Sequence, residues 1–339
     1  MAKESLAVKY RPKSFDDMTE QTAIKDILEN QIATKTFQHG YLFTGPAGTG
    51  KTTSARIFAN MINDSKGKPI EVDAASNSGV DNIRQIIEDA KRKPLDAEYK
   101  IFIVDECHSL SNGAWQALLK TLEEPPKFTI FIFCTTDPQK IPATILSRVQ
   151  RYNFQKISNE GILNRLISII QQENDASNIH YDFDAVEYIA KVSSGGMRDA
   201  ITLMDKCLSL SDVLTLENVL KTIGAEDYST FITFLSALEG KEKEISIKVI
   251  EDVYNAGKDV KQFMKDFAKF ILEVEKYSLY KNFDYISLPN TLENELEQLI
   301  DDSLFDVMDF VVSLNSQIKW ENDPKTLIEL SILIYCGKE

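Results

Sequence analysis

The chain has 339 residues, 43% of them hydrophobic and 27% charged, with a formal net charge of −14. That length accommodates two or three domains with cores of their own, and the composition excludes disordered and fibrous classes. No apolar run approaches the roughly 20 residues of a membrane span, and the start, MAKESLAVKYRPKSF, lacks the apolar core of a signal peptide. A cytoplasmic protein with no membrane partner is therefore expected. Residues 1–160 carry 21 Lys and Arg against 20 Asp and Glu, which leaves 17 against 32 for the remainder. The acidity belongs to the C-terminal half, and the N-terminal half is free to approach a polyanion. Cys107, Cys134, Cys207 and Cys336 are dispersed and form no Cys-x-x-Cys pair, so neither a disulfide framework nor a zinc site is expected.

Short β-branched and aromatic runs at Tyr41–Thr44, Ile70–Asp73, Lys100–Asp105, Thr129–Thr135 and Val149–Phe154 predict five buried parallel strands. Helical patterns at Lys51–Ile62, Val80–Arg92 and Ala114–Leu122 lie between them, which predicts an α/β domain with helices on both faces. After Ile157 the strand-like runs stop. Gly161–Gln172, Ala185–Val192, Met197–Leu208 and Leu216–Ile223 read as a small helical domain, and longer amphipathic helices follow from about residue 226.

Between the first strand and its helix lies Gly45-Pro46-Ala47-Gly48-Thr49-Gly50-Lys51-Thr52, followed by Thr53. It matches G-x-x-x-x-G-K-[ST] in the strand-loop-helix context that the motif needs. Glycines let backbone N–H groups wrap a phosphate chain, Lys51 reaches its terminal phosphates, and the Thr52 hydroxyl binds Mg²⁺. The strand Ile101–Val104 ends in Asp105 and Glu106, which places two carboxylates at the sheet's carboxyl edge beside that loop. Asp105 is expected to orient the metal and Glu106 to act as general base on a water. His108 is read as a turn-capping residue or a nucleic-acid contact.

Tyr10-Arg11-Pro12, GPAGTGKT, EVDAASNSGVDNIR, VDECHSL, ALLKTLEEPP, TTDPQKIPATILSR and GGMRDA follow one another in the chain. Together they resemble the AAA+ clamp-loader ATPases, most closely the bacterial DNA polymerase III gamma/tau family, relatives of the replication factor C small subunits. The resemblance is dense over residues 5–210. It implies a P-loop AAA+ module with a five-stranded parallel sheet (1–158), a helical lid (159–225) and an all-α collar (226–339) that holds a ring of subunits together. By that resemblance Thr136 positions the attacking water, Arg198 of the lid touches the γ-phosphate, and Val8, Tyr10, Arg11 and Pro12, with Gln21 nearby, pack on the adenine. Arg148 of Ser147-Arg148 reaches the ATP of the neighbouring subunit, although Val149 stands where the family has cysteine. Ser76, Asn77, Arg84 and Asn112 are the candidate contacts to DNA phosphates, with Lys91 and Arg92 ranked behind them.

The resemblance further implies ATP and Mg²⁺, partner subunits in a ring expected to be pentameric, a sliding clamp, and primer-template DNA. Two departures bear on this. Only Asn63–Lys68 occupies the place of the family's four-cysteine zinc module, so no zinc is expected, and the tau-type extension is absent from the sequence given. These departures and the Asn-, Ile- and Lys-rich composition suggest a phage or divergent bacterial replisome. The expected function is an ATPase subunit that opens a sliding clamp and places it on primed DNA. The alternatives are an AAA+ nucleic-acid motor, such as a branch-migration or helicase-loading ATPase, and a non-catalytic ring member.

Overall fold

The computed structural model describes residues 4–174, 179–223, 228–299 and 304–337. Its chain forms two units, Met1–Tyr181 with Ile189–Val213, and Asp182–Tyr188 with Leu214–Glu339. The boundary expected at 225/226 lies outside the described residues.

In the first unit, α1 (Leu6–Lys9) and α2 (Thr22–Thr34) precede β1 (Gly40–Thr44), and α3 (Lys51–Ile62) leads to β2 (Ile70–Asp73). Then come α4 (Val80–Ala90), β3 (Lys100–Asp105), α5 (Asn112–Glu123), β4 (Thr129–Thr135), α6 (Ala143–Leu146) and β5 (Gln150–Asn153). The five strands form one parallel sheet in the order β2-β3-β4-β1-β5. Alternate residues of the central strands enter opposite cores. Tyr41, Phe43, Ile101, Ile103, Ile130 and Ile132 pack with α2 and α3, whereas Leu42, Phe102, Val104, Phe131 and Phe133 pack with α4 and α5. Because both faces are covered, these strands read as unbroken apolar runs.

The lid helices α7 (Asn159–Asn174) and α9 (Met197–Leu210) belong to this unit, and the unit boundary falls inside α8 (Phe183–Val192). Two further strands of two residues, His180–Tyr181 and Val213–Leu214, correct the expectation that strands end at Ile157. A two-residue strand is too short to leave a periodic signal.

The second unit contains α10 (Leu216–Ile223), α11 (Tyr228–Glu239), α12 (Lys243–Asn255), α13 (Val260–Tyr280), α14 (Glu293–Gln298), α15 (Leu304–Ile318) and α16 (Pro324–Tyr335). Its core centres on α13, where Val260, Phe263, Met264, Phe267, Phe270, Ile271, Val274 and Tyr277 recur at helical spacing and pack on Phe231 and Phe234 of α11. Asp259 caps α13 by accepting from Lys261 and Gln262 N–H groups.

Phe131 is fully buried and stacked on Phe102 and Phe133 at centroid distances of 5.1 and 6.0 Å. Truncating it opens a cavity between helix and sheet. Phe131→Ala should therefore lower unfolding stability by about 3–5 kcal/mol in denaturant titration; a loss under about 1 kcal/mol would contradict this packing.

Candidate nucleotide site

The parallel order brings three strand ends to one edge. Thr44 pairs with Thr135 across β1 and β4, and Val104 pairs with Phe133 across β3 and β4, so the loop after β1, Asp105 and Thr136 emerge side by side. The loop's glycines adopt φ values of 142°, 71° and 97° at residues 45, 48 and 50. A Cβ on Gly45 would lie 2.3 Å from the Phe154 carbonyl oxygen, and one on Gly48 would lie 3.0 Å from Gly196 Cα. The loop is thus wedged between β5 and the start of α9. The Met197 N–H donates to the Gly48 carbonyl at 3.0 Å, tying the lid to the loop.

Lys51 opens α3 and is buried, its Nζ donating to the Gly45 and Pro46 carbonyls at 2.8 and 2.6 Å. Burial pushes its ammonium below the ordinary lysine value, while Cys134, Glu106 and Asp105 act in the other direction. Thr52 Oγ1 donates to Asp105 Oδ2 at 2.9 Å, and Asp105 Oδ1 accepts from the Glu106 N–H at 3.0 Å. The first carboxylate is therefore fixed on both oxygens and tied to the phosphate loop. Glu106 sits at φ 46°, in the left-handed region that non-glycine residues rarely adopt. Its Oε2 accepts from Thr136 Oγ1 at 3.3 Å and lies 3.3 Å from His108 Nδ1, which is also 3.0 Å from Thr135 Oγ1. His108 thus belongs to the surroundings of Glu106. Cys107 and Cys134 are buried here, and burial pushes both thiols up, so they stay protonated.

Lys51, Thr52, Asp105, Glu106 and Thr136 open onto a cavity of about 290 Å³, lined also by Tyr10, Arg11, Pro12, the rest of residues 47–53 and Arg198. Within the expected N-terminal strap, Ala7 lines the cavity in place of Val8, which is exposed. Gln21 instead exchanges hydrogen bonds with the Gln155 backbone. The strap is fastened to the lid. The Leu6 N–H donates to Asp205 Oδ2 at 3.0 Å, and Lys9 Nζ and the Tyr10 hydroxyl both donate to Glu173, the latter at 2.6 Å. Arg165 Nη2 donates to the Tyr10 carbonyl at 3.1 Å. Burial and the Glu173 carboxylate push the Tyr10 phenol up, which keeps it a donor at neutral pH.

Sequence reasoning missed Arg165, which lines the cavity from α7. A signal existed: it falls on the buried stripe Ile162, Leu166, Ile169, where a cation needs a reason. Arg148 is not among the cavity-lining residues; it follows α6 and is held by Glu123.

The expected DNA contacts fall into one neighbourhood and one outlier. The Ser111 N–H donates to the Ser78 carbonyl at 3.2 Å, and Gly113 lies against Val80, so the N-termini of α4 and α5 sit together. Ser76 and Asn77 there are bound to Asp73, and Asn112 is exposed in the first turn of α5. Arg84 lies a turn further along α4, paired at 3.1 Å with Asp81. Lys91 pairs with Glu88.

A phosphate loop opening α3, two carboxylates at the end of the adjacent strand's neighbour, and a lid arginine over the same cavity define an AAA+ P-loop module. Solved structures of the same fold include the Thermotoga maritima RuvB Holliday junction branch migration motor, with a TM-score of 0.51 at 22% identity over 68% of this chain and 79% of that one. A sequence profile described as "DNA polymerase III, delta subunit" matches residues 70–158, and one described as "DNA polymerase III clamp loader subunit, ATPase lid domain" matches residues 161–213. The Bacillus subtilis DNA polymerase III subunit tau is 34% identical over 362 aligned positions, covering 99% of this chain and 64% of that protein. The Buchnera aphidicola DNA polymerase III subunit gamma is 29% identical, covering 88% of this chain and 87% of that protein. Over nearly its whole length the chain is homologous to DNA polymerase III gamma and tau subunits. It spans about two thirds of the length of the Bacillus relative and half that of the Mycoplasma genitalium gamma/tau subunit.

Gly45 is the tightest point of the loop. Gly45→Ala would place a methyl group against the Phe154 carbonyl at a backbone angle that costs about 1–3 kcal/mol. Nucleotide affinity should fall at least tenfold by calorimetry while far-ultraviolet circular dichroism remains unchanged; wild-type affinity would show that the loop tolerates the side chain.

Proposed function

We propose that the chain is an ATPase subunit of a sliding-clamp loader, in which ATP binding drives clamp opening and hydrolysis releases the clamp on primer-template DNA. The observation that carries this reading is the convergence of Lys51, Thr52, Asp105, Glu106, Thr136 and Arg198 on one cavity, in a chain homologous to gamma and tau subunits. The reading divides the chain into an ATPase domain (1–158), a lid (159–225) and a collar (226–339). It places the protein in the bacterial cytoplasm, in a ring with other loader subunits, five in total.

ATP is the substrate. Its phosphates would take the loop N–H groups and the Lys51 ammonium, which exchanges its two carbonyl partners for phosphate oxygens. Arg198, at the start of α9, would hold the γ-phosphate, so that the bound nucleotide draws the lid onto the loop. Ala7, Tyr10, Arg11 and Pro12 would enclose the base. Mg²⁺ fits beside them. Thr52 Oγ1 and Asp105 Oδ2 are 2.9 Å apart and supply hard oxygen ligands, the number Mg²⁺ takes from protein when phosphates and waters complete its shell. Bound there, the metal would neutralise charge on the β- and γ-phosphates. Zinc has no place in this reading, since residues 63–68 contain no cysteine. A water held by Thr136 would lose its proton to Glu106 Oε2 as its oxygen attacks the γ-phosphorus and the bond to ADP breaks.

Arg148 lies outside the cavity of its own chain, which agrees with action on a neighbour's ATP. An arginine supplies planar, permanently charged donors for the transferring phosphoryl group. The exposed apolar residues Leu330, Leu333 and Ile334 on α16 form a surface suited to subunit contacts in the collar. The paired N-termini of α4 and α5, with Ser76, Asn77 and Asn112, would bind DNA phosphates without reading sequence, and Arg84 would join them by leaving Asp81. A nucleic-acid motor shares the fold, but no observation favours it.

Glu106→Gln should retain ATP binding and abolish turnover, because the phosphate and metal ligands survive. Turnover near the wild-type rate would remove Glu106 as the base. Arg148→Ala assembled only with itself should bind ATP but hydrolyse it roughly 10³- to 10⁵-fold more slowly. Mixing it with Lys51→Ala subunits should restore hydrolysis where an intact arginine faces an intact loop; mixed rings that stay inactive would show that Arg148 does not act in trans.

A further inference from the structure

The TLEEPP segment has no role in the chemistry above, yet it reaches the arginine that does. Glu123, the last residue of α5, accepts from Arg148 Nη2 at 2.5 Å. Arg148 Nη1 donates to the Thr144 carbonyl at 2.5 Å and to Ser147 Oγ at 3.0 Å. Three acceptors from two elements therefore hold the two terminal nitrogens of the guanidinium. Of its five N–H groups, Nε–H and one on Nη2 remain without a partner among the described residues. The grip leaves two donors free to meet an anion, so it orients the side chain without sequestering it.

The energetics separate this role from a folding role. The two side chains are 32% and 48% exposed, and ion pairs at that exposure contribute little to stability. A free arginine side chain carries about 2 kcal/mol of rotamer entropy, which must be lost when it docks on a phosphate. An arginine already held by a carboxylate, a carbonyl and a hydroxyl has lost most of it beforehand.

We propose that Glu123 is a positioning residue for Arg148, setting the guanidinium before a neighbouring subunit's triphosphate arrives. This rests on the reading of Arg148 as acting in trans. Its effect should appear in turnover and not in ATP binding, because the arginine serves the transition state of a site it does not build.

The test uses the loader ring assembled from full-length chains, comparing Glu123→Ala, Glu123→Gln and Glu124→Ala, with and without Arg148→Ala. Glu124, the exposed neighbour, serves as the control. Expected are a kcat for Glu123→Ala lower by roughly ten- to a hundredfold, unchanged KM for ATP and melting temperature, and substantial recovery in Glu123→Gln, whose amide oxygen still accepts from Nη2. In the Arg148→Ala background, Glu123→Ala should have no further effect. If Arg148→Ala lowers kcat but Glu123→Ala stays within twofold of wild type, the proposal fails and the trans reading stands. If Glu123→Ala adds to Arg148→Ala, Glu123 acts by another route and the proposal fails. If Arg148→Ala itself leaves kcat unchanged, the trans reading falls and the proposal with it. Should Glu123→Ala fail to fold, Glu123→Gln decides: a melting temperature lowered with it would make the residue structural.

Discussion

The site depends on which strands are neighbours. β4 lies between β1 and β3, so the phosphate loop after β1 and the carboxylates after β3 flank the polar end of β4. The hydrogen bond from Thr52 to Asp105 spans a sequence separation of 53 and closes this arrangement. It draws the first turn of α3 toward the end of β3, so that hydroxyl and carboxylate present their oxygens to the same cavity. Register matters as much as order. A shift of one residue between β3 and β4 would exchange the two cores on opposite faces of the sheet, because side chains alternate with period two, and the fully buried Phe102, Phe131 and Phe133 hold that register.

Around this fixed edge the remaining parts are mounted on the lid. The strap at residues 5–12 is bonded to α7 and α9 through Asp205, Glu173 and Arg165, while the start of α9 is bonded to the phosphate loop through Gly48. Strap and lid therefore share partners and should respond together when a nucleotide fills the cavity between loop and lid. Glu173 is itself mostly buried. A buried carboxylate needs donors, and Lys9 and Tyr10 supply them. This explains why a short N-terminal segment with a helix of only four residues keeps a defined position.

The strained backbone at Glu106 fits the same scheme. Its left-handed conformation ends β3 abruptly and turns the side chain toward Thr136 and His108 instead of along the strand. Backbone strain of this kind persists where surrounding contacts over-determine it; here the Asp105 side chain accepts from the Glu106 N–H and the Asp105 carbonyl accepts from Ala74.

Much of this was legible in the chain. The apolar runs ending in Thr44, Asp105 and Thr135 mark strands buried on both faces, and the loop Gly45–Thr52 carries its own mechanism in its spacing, because glycine is needed wherever backbone must approach phosphate closely. Five strands, the intervening helices and the two carboxylates follow from local chemistry alone. The two-residue strands after Ile157 did not, since they are shorter than any period. Nor did Arg165, Glu173 and His108, whose partners lie 155, 163 and 27 residues away in sequence. Arg148 shows the division most clearly. Its charge and its place before β5 were fixed by sequence, but the three acceptors that aim it include a glutamate 25 residues earlier, on another helix. Local sequence determines which residues bury themselves and which can bind a phosphate. Only the folded chain decides which polar groups meet, because hydrogen bonds act over about 3 Å and distant segments come that close only after the sheet has ordered its strands.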